Sequence, residues 1–173
     1  MLLHNAYIGL HLESESEKIV KDGLDSQDFG ETIIQTKNPH LTLDYLGSLE
    51  SDTLGSLVYF TRFMIFRAAK FPITLGNPSH LLSNITNENI FYLPVSVENG
   101  LFKDLKAQTY SINTPHVTIL KGKNLTEEQI NKTLVLIKNI IPHEGLYMST
   151  KEVFTHSKTE DGKEIIKSFP CLL

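Results

Sequence analysis

The chain has 173 residues, 40% of them hydrophobic, a formal net charge of -4 and one cysteine. That length supports one compact domain with a real core, and the acidic balance argues against a broad grip on long nucleic acid, which needs many cations against phosphates. Cys171 alone makes neither an internal disulfide nor a cysteine metal cluster, so a reducing, cytoplasmic setting is expected. The stretch Met1 to Leu12 lacks a basic segment and a long apolar run, so no leader is expected. No stretch reaches the ~18 apolar residues of a membrane span, so no membrane partner is expected.

In chain order, Ala6 to Leu12 alternates around Ile8, Leu10 and Leu12 and predicts a first strand, with Tyr7, Gly9 and His11 on its other face. Glu13 to Lys37 is polar, acidic and punctuated by Gly23 and Gly30, and reads as a long loop with at most a helical turn. Leu41 to Leu46 is a second strand, ended by Gly47 and Ser48. Ser51 or Asp52 then caps a helix whose stripe runs Leu54, Leu57, Val58, Thr61, Met64, Ile65 and Ala68. Phe60, Phe63 and Phe66 widen that stripe, and Pro72 marks its end. Ile73 to Leu75 reads as a short strand before the turn pair Asn77-Pro78, and Ile90 to Val97 as another, with Pro94 placing it at an edge or bulge. Asn99 opens a helix through Leu101 and Leu105. Pro115 precedes a further strand, and Thr126 to Gln129 is a capping box for a helix with Ile130, Leu134, Ile137 and Ile141 on one face. Two strands close the chain, Leu146 to Ser157 and Lys163 to Cys171, around the hairpin pair Asp161-Gly162.

Within this pattern one motif recurs. Pro39-His40-Leu41-Thr42 and Pro115-His116-Val117-Thr118 are both Pro-His-apolar-Thr, and both open predicted strands. Residues two apart on a strand share a face, so His40 projects with Thr42 and His116 with Thr118. The expected architecture is one α+β domain over residues 1–173, with two related lobes. A concave pair of antiparallel sheets would carry the helices outside and the histidines inside.

The chemistry that suits this set is phosphodiester cleavage. One group must activate the attacking oxygen and another must protonate the leaving oxygen, and histidine titrates near neutrality, so it can do either. Threonine hydroxyls can donate to the non-bridging oxygens as charge builds there. No cofactor is required, since protons do the neutralising. A zinc site of several histidines is the metal alternative, but threonine is a poor zinc ligand and no carboxylate–histidine spacing accompanies the motifs.

The paired motifs resemble the 2H phosphoesterase superfamily, which includes the bacterial LigT-like RNA 2′,3′-cyclic phosphodiesterases. It also includes the phage anti-CBASS nucleases, which destroy cyclic nucleotide signals of bacterial defence. The resemblance implies catalysis by His40 and His116 and phosphate contacts from Thr42 and Thr118. It also implies an aromatic residue on the first strand beside the cleft, where Tyr7 stands. His11, on the face of Tyr7, and Lys121, after the second motif, are further substrate-binding candidates. The implied protein is a monomeric phosphodiesterase for a small or cyclic nucleotide, with RNA ends as a further substrate. It would act on a 2′,3′-cyclic phosphate or a 3′–5′ linkage. A viral enzyme against cyclic oligonucleotide messengers and a catalytically silent nucleotide-binding module are the alternatives. His4, His80, His143 and His156 show no ligand spacing and read as surface or loop residues.

Overall fold

The computed structural model describes residues 1–65, 70–84, 86–97 and 115–171, without the side chains of 63–65. Eight strands and three helices are found among them: β1 (Leu2–Leu12), α1 (Ser14–Asp25), β2 (Ile33–Glu50), α2 (Ser51–Ile65), β3 (Lys70–Leu75), β4 (Ser79–Leu82), β5 (Glu88–Ser96), β6 (His116–Lys123), α3 (Glu127–Ile140), β7 (Leu146–Lys158) and β8 (Glu164–Pro170). The helix expected from Asn99 lies outside the described residues, as do Phe66 and Ala68 of the α2 stripe.

The class is α+β, as the alternation predicts. The strands pair antiparallel in the order β1-β2-β6-β5-β3-β7-β8, with β4 on β5, and β1 also pairs with β7. Six strands therefore form a hydrogen-bonded circuit in place of two separate sheets. Its thinnest join is β3 to β5, with only Thr74 opposite Ser96 and Leu75 opposite Val95. Pro94 sits between the part of β5 that pairs with β4 and the part that pairs with β3. No ladder needs its missing N–H there.

One face of the strands is apolar. Ile8, Leu10, Leu41, Val117, Leu93, Ile119 and Val153 are all essentially shielded from solvent, and together with Val20, Leu24, Leu54, Val58 and Ile137 of the helices they form the core. The alternation that buries these residues turns their neighbours to the opposite face, which carries the histidines.

Further sequence expectations change. First, β2 runs on through Gly47 and Ser48 to Glu50 and does not end at them. Second, the segment after Glu13 is a 12-residue helix, not a loop. Its Glu13 carboxylate accepts from the Glu15 N–H, and Glu15 and Glu17 sit in the first turn, where the helix dipole favours negative charge. Its inward stripe is Ser16, Val20 and Leu24, so a serine takes a position where the periodicity requires an apolar residue. That serine is satisfied, because the Tyr147 N–H donates to Ser16 Oγ at 2.8 Å. Third, β4 forms a hairpin with β5 in the stretch after the Asn77-Pro78 turn, where the sequence shows no strand. Fourth, Phe60 points to solvent at 54% exposure, beside Tyr59 at 66%, so α2 buries a narrower stripe than its sequence offers. Among the described residues no helix is long and apolar enough to cross a membrane.

Candidate active site

β2 carries the first motif through a proline. Pro39 cannot donate to a ladder, and the β2–β6 register shifts between Gln35 and His40. The bulge accommodates the proline and re-aims the residues after it. Beyond the shift the pairing is regular: His40 lies opposite Thr118, Leu41 opposite Val117, and Thr42 opposite His116. The two motifs are thus neighbours, related by the local two-fold of an antiparallel pair. Directly opposed residues have Cβ atoms about 5 Å apart and diagonal ones about 7–8 Å. The four side chains make a square with histidines on one diagonal and threonines on the other. Thr42 and Thr118 are buried at 7% and 9% exposure, and both histidines are half-buried.

The square continues across the sheet. His11 lies opposite His40 and Gly9 opposite Thr42 on β1. On β5, Tyr92 is opposite Thr118 and Pro94 opposite His116. On β7, Phe154 is opposite Gly9 and His156 opposite Tyr7. Tyr7 lies between two imidazoles, stacked on His40 at 5.4 Å and on His156 at 4.9 Å. The Phe154 ring stands edge-on to His40 at 5.0 Å and stacks on His11 at 4.5 Å. Tyr92 meets His116 edge-on at 5.2 Å.

Lys121 reaches this face through a second irregularity. The β5–β6 register shifts between Phe91 and Tyr92, so Lys121, three residues past Thr118, shares its face. It is exposed, and its charge is among those that lower the His156 pKa.

Burial sets the electrostatics. Loss of solvent pushes the His40 pKa from 6.5 down to about 4; the Asn38 hydrogen bond opposes this, and His11, His116 and His156 add to it. His40 Nδ1 is 2.8 Å from the Asn38 carbonyl. A carbonyl only accepts, so Nδ1 carries the proton and Nε2 keeps its lone pair. Tyr7 is pushed up to about 12, first by burial and then by the Glu164 charge, and its hydroxyl stays protonated. His156 is lowered mainly by burial, against the attraction of Glu164. His11 Nε2 is 3.6 Å from Glu152, and His156 Nε2 is 3.7 Å from Glu164. Among the described residues no three His, Cys, Asp or Glu side chains converge as a metal-holding set.

All seven candidates, His40, Thr42, His116, Thr118, Tyr7, His11 and Lys121, thus lie on one face. Sequence reasoning missed Phe154, Tyr92 and His156 there. His156 is no surface residue: it is half-buried against Tyr7. The signal available was the alternation of the expected Leu146 to Ser157 strand, which puts Phe154 and His156 on one face. Of the others, His143 Nδ1 bonds the Leu75 carbonyl at 2.8 Å and His4 Nδ1 bonds Ser48 at 2.9 Å, both away from the motifs.

No protein-family model matches the chain, and no curated protein matches its sequence. Solved structures do match its fold. Escherichia coli LigT complexed with ATP superposes with a TM-score of 0.57 at 17% identity, over 100% of both chains. TT0787 of Thermus thermophilus gives 0.59 at 11% identity, over 96% of this chain and 97% of that one. A phosphoesterase gives 0.59 at 17% identity, over 98% and 99%. The chain has the LigT-like fold, and the resemblance drawn from the two motifs is met at that level. LigT has also been solved with 3′-AMP.

Proposed function

We propose that this protein is a phosphodiesterase that cleaves a small or cyclic nucleotide by two-histidine acid–base catalysis. The observation that carries the reading is the pairing of His40 with Thr118 and of Thr42 with His116 on adjacent strands. A phosphate over this square meets an imidazole at each end of one diagonal and a hydroxyl at each end of the other. Support for a nucleotide comes from LigT, which shares the fold and binds ATP and 3′-AMP in its structures.

The two histidines take different roles. His40 is neutral near pH 7 with its Nε2 lone pair unprotonated, the state of a general base. His116, across the diagonal, is the acid. On a 2′,3′-cyclic phosphate, His40 takes a proton from water as its oxygen bonds to phosphorus. The bond from phosphorus to a ribose oxygen breaks, and His116 protonates that oxygen. On a 3′–5′ linkage the ribose 2′-hydroxyl replaces water as nucleophile, the 5′-oxygen leaves, and a cyclic phosphate results. Thr42 and Thr118 donate to the non-bridging oxygens. Tyr7, His11 and Lys121 contact the rest of the substrate.

The test is a product-resolved screen of nucleoside 2′,3′-cyclic phosphates, cyclic di- and trinucleotides and short RNAs, with His40→Ala/His116→Ala as control. Turnover of one class by the wild type and none by the control is expected. Turnover that survives in the control overturns the reading.

A further inference from the structure

We propose that Phe154, seated over the bare backbone of Gly9, is a positioning residue for His40, an inference that rests on the catalytic reading of His40. The first observation is steric. A Cβ on Gly9 would stand 2.6 Å from Phe154 Cζ, 2.7 Å from its Cε1 and 2.9 Å from the Leu41 carbonyl oxygen. Glycine inside a strand costs conformational entropy and packs nothing. Here its missing side chain is the space that the Phe154 ring occupies, in the middle of the histidine-bearing face.

The ring at that position restrains His40. It stands at 89° to the imidazole with centroids 5.0 Å apart, an edge-to-face geometry that aromatic pairs favour. Tyr7 covers the imidazole in parallel stacking, with planes 4° apart. The third restraint is the Nδ1–H bond to Asn38. Together these fix both the ring plane and the tautomer. Phe154 is itself held, 4% exposed, on a strand flanked by β1 and β8.

The local two-fold gives a second, independent argument. It matches Gly9, opposite Thr42, with Tyr92, opposite Thr118. Tyr92 presents its ring to His116 at 5.2 Å and 62°. On the His40 side the matching position is glycine, and the aromatic edge arrives from β7 instead. Each histidine has an aromatic edge against it, supplied by two different routes.

Phe154 also contributes to the low dielectric around His40. The other ionisable groups on this face are His11 and Tyr7 on β1, Tyr92 on β5, His116 and Lys121 on β6, Glu152, His156 and Lys158 on β7, and Glu164 on β8. Replacing Phe154 removes none of these ionisable groups, although its ring also stacks on His11 and meets Tyr7 edge-on.

The experiment is an NMR titration of the His40 ring protons in the full chain, with kcat and KM measured across pH, for wild type, Phe154→Leu, Gly9→Ala and the double variant. Phe154→Leu should move the His40 midpoint up by about one pH unit as water enters. It should also lower kcat by about 10- to 100-fold with KM little changed, because a misplaced base slows chemistry more than binding. Gly9→Ala, which displaces the ring, should do the same. Combining them should cost no more than the larger single effect, since both act through one contact. If Phe154→Leu unfolds the chain, Phe154→Met reads the same two quantities. A folded Phe154 variant with wild-type His40 titration and wild-type kcat overturns the proposal, as do additive effects in the double variant. The titration needs no substrate, so it decides the positioning role even if the wild type cleaves no phosphodiester.

Discussion

Tyr7 and His40 lie face to face, 5.4 Å between ring centroids and 4° between planes. The contact adds a side-chain link to the backbone pairing that joins the first strand to the first motif, and His156 extends it on the far side of Tyr7 at 4.9 Å. The phenol therefore has two separable attributes, a ring that packs between imidazoles and a hydroxyl that burial keeps protonated.

Substitution separates them. Tyr7→Phe keeps the stack and should hold stability within about 1 kcal/mol, the scale of one hydrogen bond. Tyr7→Ala removes the ring between two imidazoles and should cost about 2–4 kcal/mol, the range for truncating a packed aromatic. Urea denaturation measures both. If Tyr7→Phe keeps full activity, the hydroxyl does not contact substrate, and the role of Tyr7 is to hold His40.

The catalytic reading predicts a distinct outcome for each motif residue. His40→Ala and His116→Ala should each lower kcat/KM by about 10²-fold or more, the contribution of one positioned acid or base. Thr42→Val and Thr118→Val keep the shape and remove the hydroxyl, so kcat should fall with KM less affected. The acidic limb of kcat/KM belongs to His40 as base and should lie near its free-protein pKa of about 4. Dialysis against EDTA should leave the rate unchanged; loss of activity that added zinc restores would replace proton transfer with metal chemistry.

How legible was this in the sequence? The motif strands were, because Pro-His-apolar-Thr states both the alternation and the chemistry. The capping box was too: Gln129 N–H donates to Thr126 Oγ1 at 3.2 Å, and Thr126 N–H donates to Gln129 Oε1 at 2.8 Å. The residues that fail share a cause, namely partners remote in sequence. Ser16 fits a buried helix face only because Tyr147 supplies a donor. The strand period of β2 breaks at the bulge before His40, so only its second half reads as strand. Leu81 and Leu82 of β4 are both exposed, and an edge strand with neighbouring apolar residues facing water shows no alternation. His156 looked like a surface residue because its importance lies in Tyr7, which meets it only when β7 pairs with β1.

Acid should destabilise the fold through the histidines it holds neutral. His40 is lowered from 6.5 to about 4, and His156 is lowered as well. As pH falls below 6.5 the unfolded chain takes up protons that the folded chain refuses, so stability declines, and the decline from His40 is complete below about pH 4. Between pH 7 and pH 5 His40 should account for about 1–2 kcal/mol of loss, allowing for its partial exposure. Urea midpoints at the two pH values measure it. His40→Asn should flatten the dependence by that amount; an unchanged slope would mean that His40 titrates like an exposed histidine.

Gly23 puts two opposing effects against each other. It lies inside α1, where glycine is about 1 kcal/mol worse than alanine, so an exposed site would gain from Gly23→Ala. Here the added Cβ would stand 3.0 Å from the Ile140 carbonyl oxygen and 3.6 Å from its carbon. Those are backbone atoms at the end of α3, which cannot turn away as a side-chain tip can. Separating the helices would also loosen Leu24 and Ile137, both fully shielded in the core. Overpacking of this kind costs about 1–3 kcal/mol, so packing should outweigh propensity and Gly23→Ala should be net destabilising by about 1 kcal/mol. Thermal denaturation measures the sign. A raised melting temperature would show that α1 and α3 can move apart without loss.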